Sequence, residues 1–321
     1  MNGIAVAGSI LIDRINEIER YPERGQLTKI KSVKAATGGC VPNVAIDLKR
    51  LSPKLTVKAV GKVGRDADGR LAKDILEAEG VDTSGFTECD EKTSFTEVMS
   101  EVGGQRTFFT YPGASDEFGF SDVDLDALSP RMLHLGYYLL LKKIDEGDGE
   151  RILKAASERG IMTSIDLVSE NSDRYKAVIP SLKYTDNLII NELEAGALTG
   201  ISPTRENLVK IAERLMELGV RERVIIHERE LGILLSKRGL TYLPSFRLPD
   251  GFIKGTTGAG DAFCAGALLA IYDDKSDKEI LEYATVSALG ALSEADAVSG
   301  MKTLGELTEL TKNLKRIEIC L

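Results

Sequence analysis

Histidine is nearly absent from this 321-residue chain: His134 and His227 are the only two. That leaves too little material for a histidine-based metal site or a Ser-His-Asp triad. Cysteine is almost as scarce. Cys40, Cys89, Cys264 and Cys320 contain no C-x-x-C pair. A chain this large does not rely on disulfides for its core, so the four read as buried or idle thiols in a reducing cytosol. Positive charge is also in deficit, 41 Lys and Arg against 50 Asp and Glu, for a net charge of −9. This excludes the basic stripe of a nucleic-acid binder and makes anionic membrane surfaces poor partners. No apolar run approaches the ~18 residues that would suggest a transmembrane helix. The first residues carry no charged n-region and pass straight into a strand-like run, so no signal peptide is expected and the cytoplasm is the expected location. What is present is ordinary: 43% hydrophobic and 28% charged residues, enough for one large domain or two modest ones.

The chain is organised around Lys254-Gly255-Thr256-Thr257-Gly258-Ala259-Gly260-Asp261-Ala262-Phe263. An apolar segment rich in Ala and Leu follows at once, so the order is loop, then helix. Such a helix leaves its first N–H groups free to point at an anion, and its dipole adds partial positive charge there. Asp261 falls in the same first turn. A carboxylate beside an anion-binding pocket suits phosphoryl transfer to an alcohol: the amides hold the transferring group and the carboxylate takes the proton. On the stretch alone, a glycine-rich corner with an acidic first turn that merely complements the dipole is the more ordinary reading. The stretch is neither a P-loop nor a dinucleotide fingerprint.

Along the chain, Gly3–Ile10 predicts a buried strand of a parallel sheet. Alternation around 12–18 and 29–35, and again in a hairpin of Ser94–Val102 with Arg106–Tyr111 across Gly103-Gly104, predicts strands with one exposed face. Thr37-Gly38-Gly39-Cys40-Val41-Pro42-Asn43 is a second glycine-rich turn, with Pro42 opening a helix and Asn43 facing outward from its N-terminus. A strand at Leu55–Val63 and a helix at Asp66–Glu79 follow. Strands at 133–138, 162–168, 188–191 and 224–227 alternate with helices at 146–158, 192–198 and 205–218. That predicts a mostly parallel sheet covered on both faces, with an antiparallel hairpin at 232–245 on its edge. Helices at 262–271, 277–292 and 304–314 close the chain. The body is therefore 1–11, 37–93 and 112–321. Residues 12–36 and 94–111 form an inserted small sheet, which would pack on the body as a flap or meet a copy of itself.

Asn191-Glu192-Leu193-Glu194 ends a strand and opens a helix. Its spacing is that of a capping box. It also places two oxygen-bearing side chains at the carboxyl end of a sheet, where they could hold a hydrated Mg²⁺.

Together these pieces resemble the ribokinase-like (PfkB) carbohydrate kinases. The likeness rests on Gly8-Ser9-Ile10-Leu11-Ile12-Asp13, Gly38-Gly39 with Asn43, Asn191-x-x-Glu194 and Thr256-Thr257-Gly258-Ala259-Gly260-Asp261, in that order over nearly the whole chain. It implies a three-layer α/β/α sandwich with a small β lid, and transfer of the γ-phosphoryl group of ATP to an alcohol of a sugar or sugar derivative. It implies Asp261 as general base and the amides of Gly258, Ala259 and Gly260 as anion hole. Asn191 and Glu194 are implied as organisers of Mg²⁺, through water, and of phosphate. Asp13, Gly38, Gly39 and Asn43 are implied as substrate contacts. Asn191, His227, Thr256, Gly258 and Gly260 fall where the nucleotide would lie. Arg106, on the lid hairpin, meets substrate or faces solvent, with nothing to choose between them. A homodimer through the lid suits this architecture.

The chain departs from the resemblance at three places. Gly255 stands where many members have an aspartate that helps hold a monovalent cation, which puts that requirement in doubt. His227-Glu228-Arg229 replaces a frequent Thr-x-Gly. Tyr137 and Tyr138 stand where relatives often have an acidic or amide sugar contact; as packing residues they mean little, and as ring-stacking residues they favour a nucleoside. A nucleoside kinase of the same fold, and a sugar-binding protein without catalysis, are the alternatives carried forward.

Overall fold

The computed structural model describes residues 1–101, 106–170 and 173–319. Thirteen strands are found among them: β1 (Ile4–Ala7), β2 (Leu11–Ile18), β3 (Ile30–Gly38), β4 (Val57–Gly64), β5 (Asp82–Cys89), β6 (Ser94–Glu101), β7 (Arg106–Tyr111), β8 (Met132–Tyr138), β9 (Met162–Leu167), β10 (Asn187–Asn191), β11 (Arg223–His227), β12 (Leu231–Ser236) and β13 (Gly239–Pro244). Nine of them form one sheet in the order β13-β12-β11-β10-β9-β8-β1-β4-β5. Its pairs are parallel from β11 through to β5, and β12 and β13 are added antiparallel at one edge.

Strand β1, Ile-Ala-Val-Ala, lies in the interior between β4 and β8, and all four residues are fully buried. A strand covered on both faces has no polar side to show, which is why it reads as a continuous apolar run. The two faces of the sheet carry two separate apolar cores. Ile4, Val6 and Ile10 pack with helices Cys40–Leu51, Ala259–Tyr272 and Asp277–Leu292 on one side. Ala5, Ala7 and Leu133 pack with helices Gly149–Glu158 and Leu208–Glu217 on the other. Helix Ala259–Tyr272 is buried at every residue from Asp261 to Ile271. Its small residues permit this. A Cβ on Gly266 would come within 2.5 Å of the Tyr283 carbonyl oxygen on the next helix, so only glycine lets the two backbones approach.

The remaining strands form a second sheet, β3-β2-β6-β7, with β2 parallel to β6 and the outer pairs antiparallel. Strand β7 is exposed along its whole length, as is most of β3. The turn between β6 and β7, with Val102 and Gly103-Gly104, lies outside the described residues.

The structure adds one strand that periodicity does not announce. Asp82–Cys89 pairs parallel with β4 at the sheet edge. Its sequence, Asp-Thr-Ser-Gly-Phe-Thr-Glu-Cys, has only one face against the body and little apolar material on it. Helix boundaries also shift. The helix expected from 146 begins as a π turn, Ile144–Asp148, with Gly147 at φ 122°, before regular helix from Gly149. The last helix stops at Thr311. No helix among the described residues is long and apolar enough to cross a membrane.

Candidate active site

The glycine-rich stretch enters helix Ala259–Tyr272 through Gly258, which adopts φ 77° as N-cap. A Cβ there would meet the Ala297 backbone at 2.6 Å, so backbone conformation and space both demand glycine. The amides of Gly258 and Gly260 have no partner among the described residues, whereas the Ala259 N–H is turned to the Thr256 carbonyl at 3.3 Å. Of the three expected anion-hole amides, two are therefore free.

Asp261, one residue past that turn, points at the N-terminus of helix Cys40–Leu51. Its Oδ2 accepts from Asn43 Nδ2 at 2.8 Å and from the Tyr137 hydroxyl at 3.0 Å. Oδ1 accepts no hydrogen bond among the described residues, and Asp261 lines a cavity of ≈ 190 Å³. One oxygen is thus held and the other is available. Burial pushes the carboxyl up to about 7, nearby Asp166 adds repulsion, and the Asn43 and Tyr137 hydrogen bonds pull it back. A carboxylate tuned near neutrality is suited to taking a proton.

One expectation is corrected here. Asn43 does not face outward. The helix starts at Cys40, before Pro42, which puts Asn43 on its inner side, buried and donating to Asp261. Its Oδ1 is buried without a partner. Tyr137 packs against the core, as one of its two readings has it, and also reaches Asp261. Strand β8 leaves the sheet with Tyr137 at φ 58°, its N–H donates to Asp166 Oδ1 at 2.6 Å, and this aims its hydroxyl at Asp261. Tyr138 packs too: it is buried, and its hydroxyl meets Ser181 Oγ at 2.8 Å.

Asp13 sits on β2 opposite Ala36, and no hydrogen bond holds its carboxylate among the described residues. Burial pushes it up to about 6. Gly38 and Gly39 let the chain pass this group. A Cβ on Gly38 would lie 2.4 Å from Asp13 Oδ2, and one on Gly39 would lie 2.7 Å from the Ser9 carbonyl oxygen.

Asn191 and Glu194 cap the helix and also face a cavity. They form the reciprocal capping box at 2.9 and 3.0 Å, and both line the same cavity as Asp261. Ser169 joins them: its hydroxyl donates to Glu194 Oε1 at 2.7 Å and accepts from Asn191 Nδ2 at 2.8 Å. Burial pushes Glu194 up to about 7. The donor set is all oxygen at the cavity wall, which fits a hard divalent cation such as Mg²⁺. Each Glu194 oxygen already accepts a protein hydrogen bond, so contact through retained water fits better than direct ligation.

A second, larger cavity of ≈ 860 Å³ opens on the other side of Gly260, which lines both, as does His227. The His227 ring lies 4.7 Å from that of Phe263, and burial lowers it to about 4, so it is neutral at physiological pH. Thr256, Arg229, Phe246 and Leu289 line this larger cavity. Glu228 is taken up by Arg205. Arg106 is exposed on β7.

Asp166 and Ser169 escaped notice in the sequence. The signal was there, a lone acid in the apolar run Met162–Val168 and a serine just after it, but its partners are supplied by other strands.

A family model described as pfkB family carbohydrate kinase matches residues 1–304. The chain belongs to the pfkB family. It is a carbohydrate kinase in the ribokinase fold. Among similar proteins is a ribokinase from Arabidopsis thaliana, 28% identical over 320 residues that cover 96% of this chain and 81% of that one. Another is a probable fructokinase-7 from the same plant, 26% identical, covering 96% and 92% of the two chains. The solved structure of Arabidopsis thaliana ribokinase with ribose and ATP superposes with a TM-score of 0.82 at 24% identity, covering 97% and 99%.

Proposed function

We propose that this pfkB kinase transfers the γ-phosphoryl group of ATP to a hydroxyl of a sugar or sugar derivative, with Asp261 Oδ1 as the general base. The observation that carries this is the Asp261 carboxylate itself: one oxygen fixed by Asn43 and Tyr137, the other free on a cavity, beside two unpartnered amides. In this reading the substrate hydroxyl gives its proton to Oδ1, and its oxygen attacks phosphorus in line with the departing ADP. The Gly258 and Gly260 amides meet the charge that develops on the transferring group. The larger cavity takes the nucleotide, with His227, Thr256 and Asn191 along its path. Mg²⁺, when bound, neutralises phosphate charge, and Asn191 and Glu194 hold its waters.

Asp13, the Gly38-Gly39 backbone and Asn43 are assigned to substrate hydroxyls. A half-buried Asp13 carboxylate with no hydrogen bond among the described residues supports this, since it is an acceptor waiting for a donor. The small sheet is assigned as a lid over residues 12–36 and 94–111, excluding water from the phosphoryl group. Arg106 then lies on the lid, at the substrate's edge. We further assign lid-to-lid pairing of two copies. Exposed Val33 and Phe108, at 66% and 61%, and the unpaired outer edges of β3 and β7 support it. No monovalent-cation requirement is assigned, because a side chain at Gly255 would crowd the Ala295 backbone at 3.0 Å. The cytoplasm, where ATP is available, is the assigned location.

The nucleoside reading keeps one support, Tyr137 at the base; Tyr138 no longer contributes. A thermal-shift panel of sugars, sugar phosphates and nucleosides separates the two acceptors. The decisive test is Asp261→Asn. Turnover should fall by about 10²–10⁴-fold while substrate still raises the melting point. Unchanged turnover would remove Asp261 as the base.

A further inference from the structure

Beside Asp261, at the wall of the same ≈ 190 Å³ cavity, four side chains from four different elements converge. Cys40 opens its helix, His134 lies on β8, Asp166 is the next-to-last residue of β9, and Cys264 follows Asp261 by one helical turn. All four are buried. A Cys40 sulfur, a His134 nitrogen and an Asp166 oxygen all lie within 4.8 Å of one another; Cys264 stands outside that mutual group and joins it through His134. The Cys264 sulfur is 3.6 Å from His134 Nε2, and Asp166 Oδ2 is 3.3 Å from the same nitrogen.

We propose that Cys40, His134, Asp166 and Cys264 form a binding site for a thiophilic divalent cation of the zinc class. A tetrahedral zinc, with Zn–S of about 2.3 Å and Zn–N and Zn–O of about 2.0 Å, has S–N edges of about 3.6 Å and N–O edges of about 3.3 Å. The two separations centred on Nε2 match those edges. The other ring nitrogen, Nδ1, is 3.1 Å from the Ser164 hydroxyl. That hydroxyl can accept from Nδ1–H and so present the Nε2 lone pair to the metal, the outer hydrogen bond that metal-ligating histidines ordinarily have. Asp166 and Cys264 line the ≈ 190 Å³ cavity, which gives an ion a way in. Two thiols and an imidazole distinguish this site from the all-oxygen Asn191–Glu194 pair, which suits Mg²⁺. Binding replaces the two S–H protons, which pass to solvent.

Occupation has a consequence for the kinase that rests on Asp261 being the base. Asp166 Oδ1 accepts from the Tyr137 amide, and Tyr137 holds Asp261. A cation that draws Asp166 toward His134 loosens that chain, so zinc inhibits turnover and an excess of Mg²⁺ does not relieve it.

The test is titration of the purified, reduced full-length protein with Co²⁺, read by thiolate-to-cobalt absorption in the near ultraviolet and by the visible bands of tetrahedral cobalt. The wild type should take up one equivalent with both signals. Cys40→Ser and Cys264→Ser should each weaken binding by at least about tenfold, the lower end of what even outer-shell changes cost. Cys89→Ser should leave it unchanged. Circular dichroism confirms that each variant is folded. Where one is not, His134→Gln in an otherwise wild-type chain, with the same expected loss, replaces it. Absence of the sulfur band in the wild type, or its persistence in either core variant, overturns the site. These readouts do not involve catalysis, so their failure is separable from failure of the Asp261 assignment.

Discussion

Removing a single hydroxyl, by Tyr137→Phe, should move the pH dependence of catalysis without abolishing it. The Tyr137 hydroxyl donates to Asp261 Oδ2 at 3.0 Å and stabilises the charged carboxylate. A hydrogen bond to a charged group contributes about 1.5–3 kcal/mol. At 1.36 kcal/mol per pKa unit, its loss raises the Asp261 pKa by about 1–2 units. The sign is upward because the lost donor favoured only the ionised form. The acidic limb of kcat/KM, which reports the free enzyme, should therefore move from about 7 in the wild type to about 8–9. At pH 7 the ionised fraction falls from about half to about 1–10%, a loss of about 5- to 50-fold in kcat/KM. At pH 9 the variant should recover to within about twofold of the wild type. Asp13, pushed up to about 6, gains no hydrogen bond and loses none, so any limb it contributes stays in place. Steady-state rates from pH 5.5 to 9.5 with one acceptor decide the matter. A loss of equal size at every pH would refute the reasoning, because it would mean that Tyr137 positions substrate and leaves the base untouched.

Four further outcomes follow from the geometry. Asp47 is fully buried with neither carboxylate oxygen hydrogen-bonded among the described residues, and burial raises its pKa far above the usual carboxylate range. Ionisation is therefore easier in the unfolded chain, and stability falls as pH rises above about 4; Asp47→Asn should raise the Tm by several degrees at pH 8 and by much less near pH 4, in paired thermal melts. Gly258→Ala should cost about 2–5 kcal/mol in denaturant unfolding, from a left-handed backbone and a Cβ forced against Ala297. Gly260→Ala meets only His227 Cε1 at 3.8 Å and should be nearly neutral for stability. Glu194→Gln keeps the capping box, so the fold should hold while the Mg²⁺ concentration for half-maximal rate rises by about tenfold in a metal titration.

What the sequence by itself determined is local. A glycine turn before an apolar helix, with an acid in its first turn, can be read from spacing, because helix capping and left-handed turns depend on neighbours within a few residues. The parallel sheet is legible for a related reason: β1 and β10 must be apolar on both faces, whatever lies across from them. Strand β5 was not legible, since its half-covered edge leaves little pattern to detect. Whether Asn191 and Glu194 cap a helix or face a cavity could not be chosen from spacing, because the same residues do both. Only the tertiary structure decided what surrounds Asp261. Asn43 and Asp261 stand 218 positions apart, and Tyr137 and Asp261 stand 124 apart. No local preference joins them. Their meeting is set by packing the Cys40–Leu51 helix against the helix that carries Asp261, and by a left-handed residue at the end of β8. The same packing raises the carboxylate toward neutrality, because burial and the Asp166 charge act through space and not along the chain.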